Sequence, residues 1–123
     1  MSPCLKHGDK IKTSPPTHIK RNDLVIFKRK NKLIIKRVVA LNGDSLKLIK
    51  NKSCFNIIIN EKVQKSLSGK DYCSGRKVLL NFETKSLNKQ YLIVLGETLS
   101  GSEDSTLYGP IERDAVVAVG NCL

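Results

Sequence analysis

Short runs of β-branched residues, each closed off by turn formers, leave this chain few ways to fold. DLVIFK (Asp23–Lys28) and KLIIKRVVAL (Lys32–Leu41) are rich in Val and Ile, and Lys30-Asn31-Lys32 between them reads as a hairpin tip. LNGD (Leu41–Asp44) is a turn. After it come SLKLIK, CFNIIIN, KVLLNF, QYLIVLG and AVVAVG, each a strand-length apolar run bounded by turn residues. Helical spacing is nearly absent, and only Asn60–Ser68 is compatible with a short helix. SPPT (Ser14–Thr17) reads as a loop, and Leu95–Pro110 as a long polar one. The expected fold class is all-β: a small barrel-like or folded antiparallel sheet. With 123 residues and no linker or repeat, residues 1–123 are expected to form a single domain.

Charge is distributed unevenly along the chain. Residues 1–95 hold 21 Lys and Arg against six Asp and Glu, while residues 96–123 hold one against five, within a total of +11. A basic body with an acidic end suits an anionic membrane surface, nucleic acid or an acidic substrate. The plainer reading is a solvated, lysine-rich surface, since 17 of the 22 cations are Lys. FKRKNK (Phe27–Lys32) carries no interleaved aromatic signature for RNA, so a nucleic-acid partner is disfavoured.

Four cysteines, Cys4, Cys54, Cys73 and Cys122, lie far apart without a C-x-x-C pair. They read as scattered thiols, which lean towards a reducing compartment, and not as a zinc site or a dense disulfide framework. Cys4, His7 and His18 lack the second ligand pair that a metal needs, so no metal or cofactor is expected. No stretch approaches the roughly 20 apolar residues of a membrane span, and no signal peptide is visible.

Lys36 is the most informative single residue. On an extended strand it shares a face with Ile34, Val38 and Ala40, while Arg37 shares the other with Ile35 and Val39. A strand apolar on both faces with two cations at its centre puts Lys36 either at a sheet edge with its head in water or in a partly dry setting. Desolvation favours the neutral amine, the form that accepts a proton. The loop GETLSGSEDS (Gly96–Ser105) gathers hydroxyls and carboxylates; such a loop can orient a catalytic amine or simply connect two strands.

Taken together, four stretches resemble the boxes of the type I signal peptidases, serine proteases with a Ser/Lys dyad. Met1-Ser2-Pro3-Cys4-Leu5-Lys6-His7-Gly8-Asp9 follows the first box, with Cys4 in place of Thr. Arg21-Asn22-Asp23 and the apolar run after it follow the second. Lys36-Arg37-Val38-Val39-Ala40-Leu41-Asn42-Gly43-Asp44 follows the third, and Gly96–Ile111 follows the last without a gap. The resemblance implies a signal-peptidase-type antiparallel fold and removal of an N-terminal leader from a precursor protein, after small residues. It assigns Lys36 as general base and Ser102 as the hydroxyl that orients it. Asp104 falls on a structural carboxylate whose usual arginine partner, two places on, is Thr106 here; Arg37 or another cation is expected to compensate.

The family nucleophile lies three residues before the motif proline, which from Pro3 falls one place ahead of Met1. Three readings follow from this count. The natural N-terminal segment lies outside the sequence given; or the chain is a remnant without protease activity; or Ser2 serves as the nucleophile. The first would make the protein membrane-associated if that segment is an anchor, and cytoplasmic otherwise. Short length and the lack of a span also resemble the soluble proteases that trim nickel superoxide dismutase precursors. The alternative from another class is a catalytically inactive basic β domain that binds peptide, anionic lipid or nucleic acid.

Overall fold

The computed structural model describes residues 11–66, 68–96 and 103–122. Among the described residues, ten strands form two antiparallel sheets. The main sheet runs in the order β1 (Ile11–Ser14), β10 (Val116–Cys122), β2 (Leu24–Arg29), β3 (Lys32–Ala40), β8 (Tyr91–Leu95) and β9 (Ile111–Glu112). In the second, β5 (Cys54–Ile59) pairs with β4 (Leu46–Asn51) on one side, and with β6 (Lys62–Val63) and β7 (Cys73–Ser74) on the other. The arrangement is a folded pair of sheets; it does not close into a barrel.

Turn chemistry fixes the register. Arg29 pairs with Lys32, leaving Lys30 and Asn31 as a two-residue hairpin loop with φ of 51° and 63°. Two positive φ values in succession match the twist of the flanking strands, and Asn tolerates that region better than most residues. Asn60 and Glu61 (φ 51° and 67°) repeat the device between Ile59 and Lys62. That turn displaces the short helix expected over Asn60–Ser68.

Both faces of the main sheet are covered, and this explains the unbroken apolar runs. Val39, Ala40, Ile93 and Leu95 pack on the second sheet through Leu46, Leu48, Ile57, Ile59 and Tyr72. Val25, Phe27, Val38, Leu92 and Val94 form the opposite core with Ile19, Ile111, Val116 and Val119. The expected alternation along β3 fails at one point. Its register against β8 shifts between Val38 and Ala40, so Ala40 leaves the face of Lys36 and joins the other core beside Val39.

Three further expectations are corrected. KVLLNF forms a 3-10 helix over Val78–Phe82 instead of a strand, because only Leu79 of its residues is buried and no neighbouring strand pairs with it. The polar stretch Leu95–Pro110 contains a one-turn helix, α1 (Ser105–Tyr108), nucleated by Asp104 as N-cap. Cys54 and Cys73, read as separate thiols, are joined in a disulfide between β5 and β7. Spacing along the chain conceals this pair because β7 reaches β5 only after a 19-residue excursion.

Candidate active site

Lys36 occupies the middle of β3, directly opposite Val25 of β2, with Ile34 and Val38 before and after it on the same face. Val25 and Val38 are fully buried, and Lys36 itself is half-buried. The amine therefore leaves an aliphatic patch in a central strand, not a sheet edge. On β8 the strand ends at Leu95, opposite Arg37, which puts Gly96 level with Lys36 across the same ladder.

Gly96 is gripped on both sides of its backbone. Its N–H donates to Asp104 Oδ2 at 3.0 Å, and its carbonyl accepts from the Tyr72 hydroxyl at 2.7 Å. The N–H of Val94, two residues earlier on the same strand edge, donates to Ser105 Oγ at 2.9 Å. Asp104 and Ser105 thus replace the missing strand beyond β9 with side-chain acceptors, which blunts an otherwise open edge. They also hold together the two ends of the segment 97–102. Ser102, the expected orienting hydroxyl, lies in that segment and outside the described residues, as do Glu97 and Thr98. Ser2 and the whole opening motif, with Cys4 and His7, lie outside them too.

Asp104 is buried. Besides Gly96, it accepts from the Thr106 N–H at 2.9 Å and from the Thr106 hydroxyl. Among the described residues, Arg76 brings a positive charge to this neighbourhood, its Nη1 donating to Thr106 Oγ1 at 3.2 Å. Arg37, named as a compensating cation from the sequence, faces the second sheet. Its guanidinium donates to Asn22 Oδ1 at 3.0 Å, the Lys65 carbonyl at 3.2 Å and the Tyr72 hydroxyl at 3.3 Å. Tyr72 and Arg76 were not legible as site residues. Both come from the stretch between β6 and the 3-10 helix, where the sequence shows only generic turns.

Several motif positions have backbone reasons. Asn22 has φ of 75°, a left-handed conformation that asparagine tolerates better than most residues. Gly109 has φ of 81°, and a Cβ there would stand 3.0 Å from Cε2 of Phe82. Asp44 closes the Leu41–Asp44 turn by accepting from Arg21 Nη2 at 2.6 Å, Asn60 Nδ2 at 2.9 Å and the Leu41 N–H at 3.0 Å. Burial opposes its ionisation, but these bonds and the Arg21 charge hold the carboxyl below the usual range. Tyr108 packs edge-on against Phe27, and its hydroxyl donates to the Glu103 carbonyl at 3.0 Å. Burial and the Asp104 charge push its phenol up to about 12, against the opposing pull of Arg29.

The family model for signal peptidase, peptidase S26, matches residues 1–122, nearly the full chain. The chain belongs to the signal peptidase family. Among solved structures it is similar to the crystal structure of a signal peptidase I from Enterococcus faecalis V583. The TM-score is 0.56 at 17% identity, over 81% of this chain and 94% of that one. At that identity the match speaks for the signal peptidase fold alone. None of the curated proteins compared with the chain matches it. Among the described residues, no three His, Cys, Asp or Glu side chains converge to hold a metal, and no helix is long and apolar enough to cross a membrane.

Proposed function

We propose that this signal peptidase family member is a serine endopeptidase that removes leaders from precursor proteins, with Lys36 as its general base. The observation that carries the reading is the position of Lys36: half-buried among Ile34, Val38 and Val25, and level with Gly96, where the segment containing Ser102 begins. A lysine acts as a base through the lone pair of its neutral amine. The amine takes the hydroxyl proton of a serine, the alkoxide attacks the peptide carbonyl, and that proton passes to the leaving amino group as the C–N bond breaks. Water then attacks the acyl-enzyme, giving its proton to the same amine, which returns it to the serine as the ester bond breaks. Ser102 orients the amine in this scheme. Asp104 acts at one remove, by fixing Gly96 and the return of the segment.

The disulfide between Cys54 and Cys73 supports an oxidising location for the sheets, such as the outer side of a membrane, over the cytoplasmic alternative.

The test is cleavage of a leader peptide by the full natural chain, its own N-terminal sequence included. Lys36→Met is expected to lower kcat by about a thousandfold or more. Ser2→Ala tests Ser2 as the nucleophile, and cleavage that survives it rules Ser2 out. Full activity of Lys36→Met would overturn the assignment.

A further inference from the structure

The face of β3 that carries Lys36 continues past it to a pocket of a different character. Along the β2–β3 ladder the pairs on this face are Val25 with Lys36, Phe27 with Ile34, and Arg29 with Lys32. Helix α1 lies over the far end of the ladder. Tyr108 rests on Phe27, and the Arg29 guanidinium sits 4.2 Å above the Tyr108 ring centre. Between hairpin and helix is a cavity of about 160 Å³, lined by Arg29, Lys30, Lys32, Ile34, Glu103 and Leu107.

We infer that this pocket is a specificity subsite of the peptidase, and that it takes an acidic substrate side chain about four residues from the cleaved bond. The inference rests on Lys36 as the reacting centre. Lys32 is four residues from Lys36, roughly 13 Å along an extended strand. An extended peptide with its cleaved bond at Lys36 covers that distance in the same number of residues.

The lining fits Asp or Glu in two ways. Ile34 and Leu107 offer aliphatic contact to the methylenes, while three cations surround the position of the carboxylate. Glu103 opposes them with one negative charge, so the balance remains positive. Arg29 is already fixed by stacking on Tyr108, which reduces the ordering that binding would otherwise require. A neutral side chain finds the same floor and none of the electrostatic gain.

The experiment uses the full natural chain and dye-labelled leader peptides with small residues before the cleaved bond. Asp or Asn is placed four residues before that bond in one pair and four residues after it in another. Anisotropy gives binding, and product formation gives cleavage. At one of the two placements, the Asp peptide is expected to bind about fivefold tighter than the Asn peptide at low salt. The ratio should fall towards one in 0.5 M salt. In the Lys30→Glu/Lys32→Glu variant, two exposed substitutions, the ratio should invert.

Equal binding of Asp and Asn peptides at both placements, or a preference unchanged in that variant, would overturn the subsite. Acid preference in binding with no peptide cleaved would sink the dyad reading and the subsite with it, leaving a pocket that binds acidic side chains.

Discussion

Tyr72, from the second sheet, donates its hydroxyl proton to the carbonyl of Gly96 at the end of β8, 2.7 Å away. The Arg37 guanidinium donates to the same phenolic oxygen from β3. Arg37 also donates to the Lys65 carbonyl, and much of the remaining contact between the sheets is aliphatic packing, which has no directional preference. This polar junction gives them a fixed mutual position at the place where β3 carries Lys36 and β8 gives way to segment 97–102. Inside a low-dielectric layer, such a bond is costly to leave half-made.

Tyr72→Phe keeps the ring in the core and removes only the hydroxyl. The Gly96 carbonyl then loses this donor, and Arg37 loses one acceptor. Urea unfolding is expected to show a loss of about 1–3 kcal/mol. Hydrogen exchange should speed up selectively at the end of β8. A variant as stable as wild type, with unchanged exchange there, would show that the junction contributes nothing.

Asp44 makes the fold acid-sensitive in a defined window. Its carboxyl titrates below the reference value of 3.8 in the folded protein, because Arg21, Asn60 and the Leu41 N–H bind the ionised form and outweigh its burial. A depressed carboxyl contributes stability that is complete above the unfolded value and is lost as pH falls through the folded one. Asp44→Asn is therefore expected to cost about 1–2 kcal/mol at pH 7, with solvent around the half-exposed Arg21 limiting the effect. The gap from wild type should begin to narrow below about pH 4 and close as pH falls through the folded value. Urea midpoints measured from pH 7 to pH 2 check this, and a gap independent of pH would count against it.

How far the sequence revealed the molecule depended on whether local or distant contacts set each element. The β2–β3 hairpin was legible because Lys30 and Asn31 sit between two Val- and Ile-rich runs, and the turn is a local affair. Val78–Phe82 has the same apolar composition but no partner strand, and composition alone does not supply one. The bulge between Val38 and Ala40 altered which residues share the Lys36 face, a consequence of pairing with β8 that β3 does not encode by itself. In the site, the motif stretches named Lys36, Arg37 and Asp104, while Ser2 and Ser102 lie outside the described residues. Tyr72 and Arg76 were not legible, because each acts through a single long-range hydrogen-bonding head. The disulfide escaped for the same reason: Cys54 and Cys73 meet only after β5 and β7 have paired.

The carboxylate of Asp104 gives the sharpest test of how this chain manages without an arginine at position 106. Asp104 accepts from the N–H groups of Gly96 and Thr106, and the Thr106 hydroxyl bridges it to Arg76. Asp104→Ala removes an N-cap and strands two buried N–H donors, so it is expected to cost about 2–4 kcal/mol. Asp104→Asn should be nearly as harmful. Its amide NH₂ must face one of those donors, since Gly96 and Thr106 approach opposite oxygens. Arg76→Met and Thr106→Val each break the bridge at a different link, and a double-mutant cycle between them is expected to give a coupling of about 1 kcal/mol. Strict additivity would mean that Arg76 and Thr106 merely lie near one another. Non-additivity would show that Arg76 and Thr106 act as one hydrogen-bonded link beside Asp104.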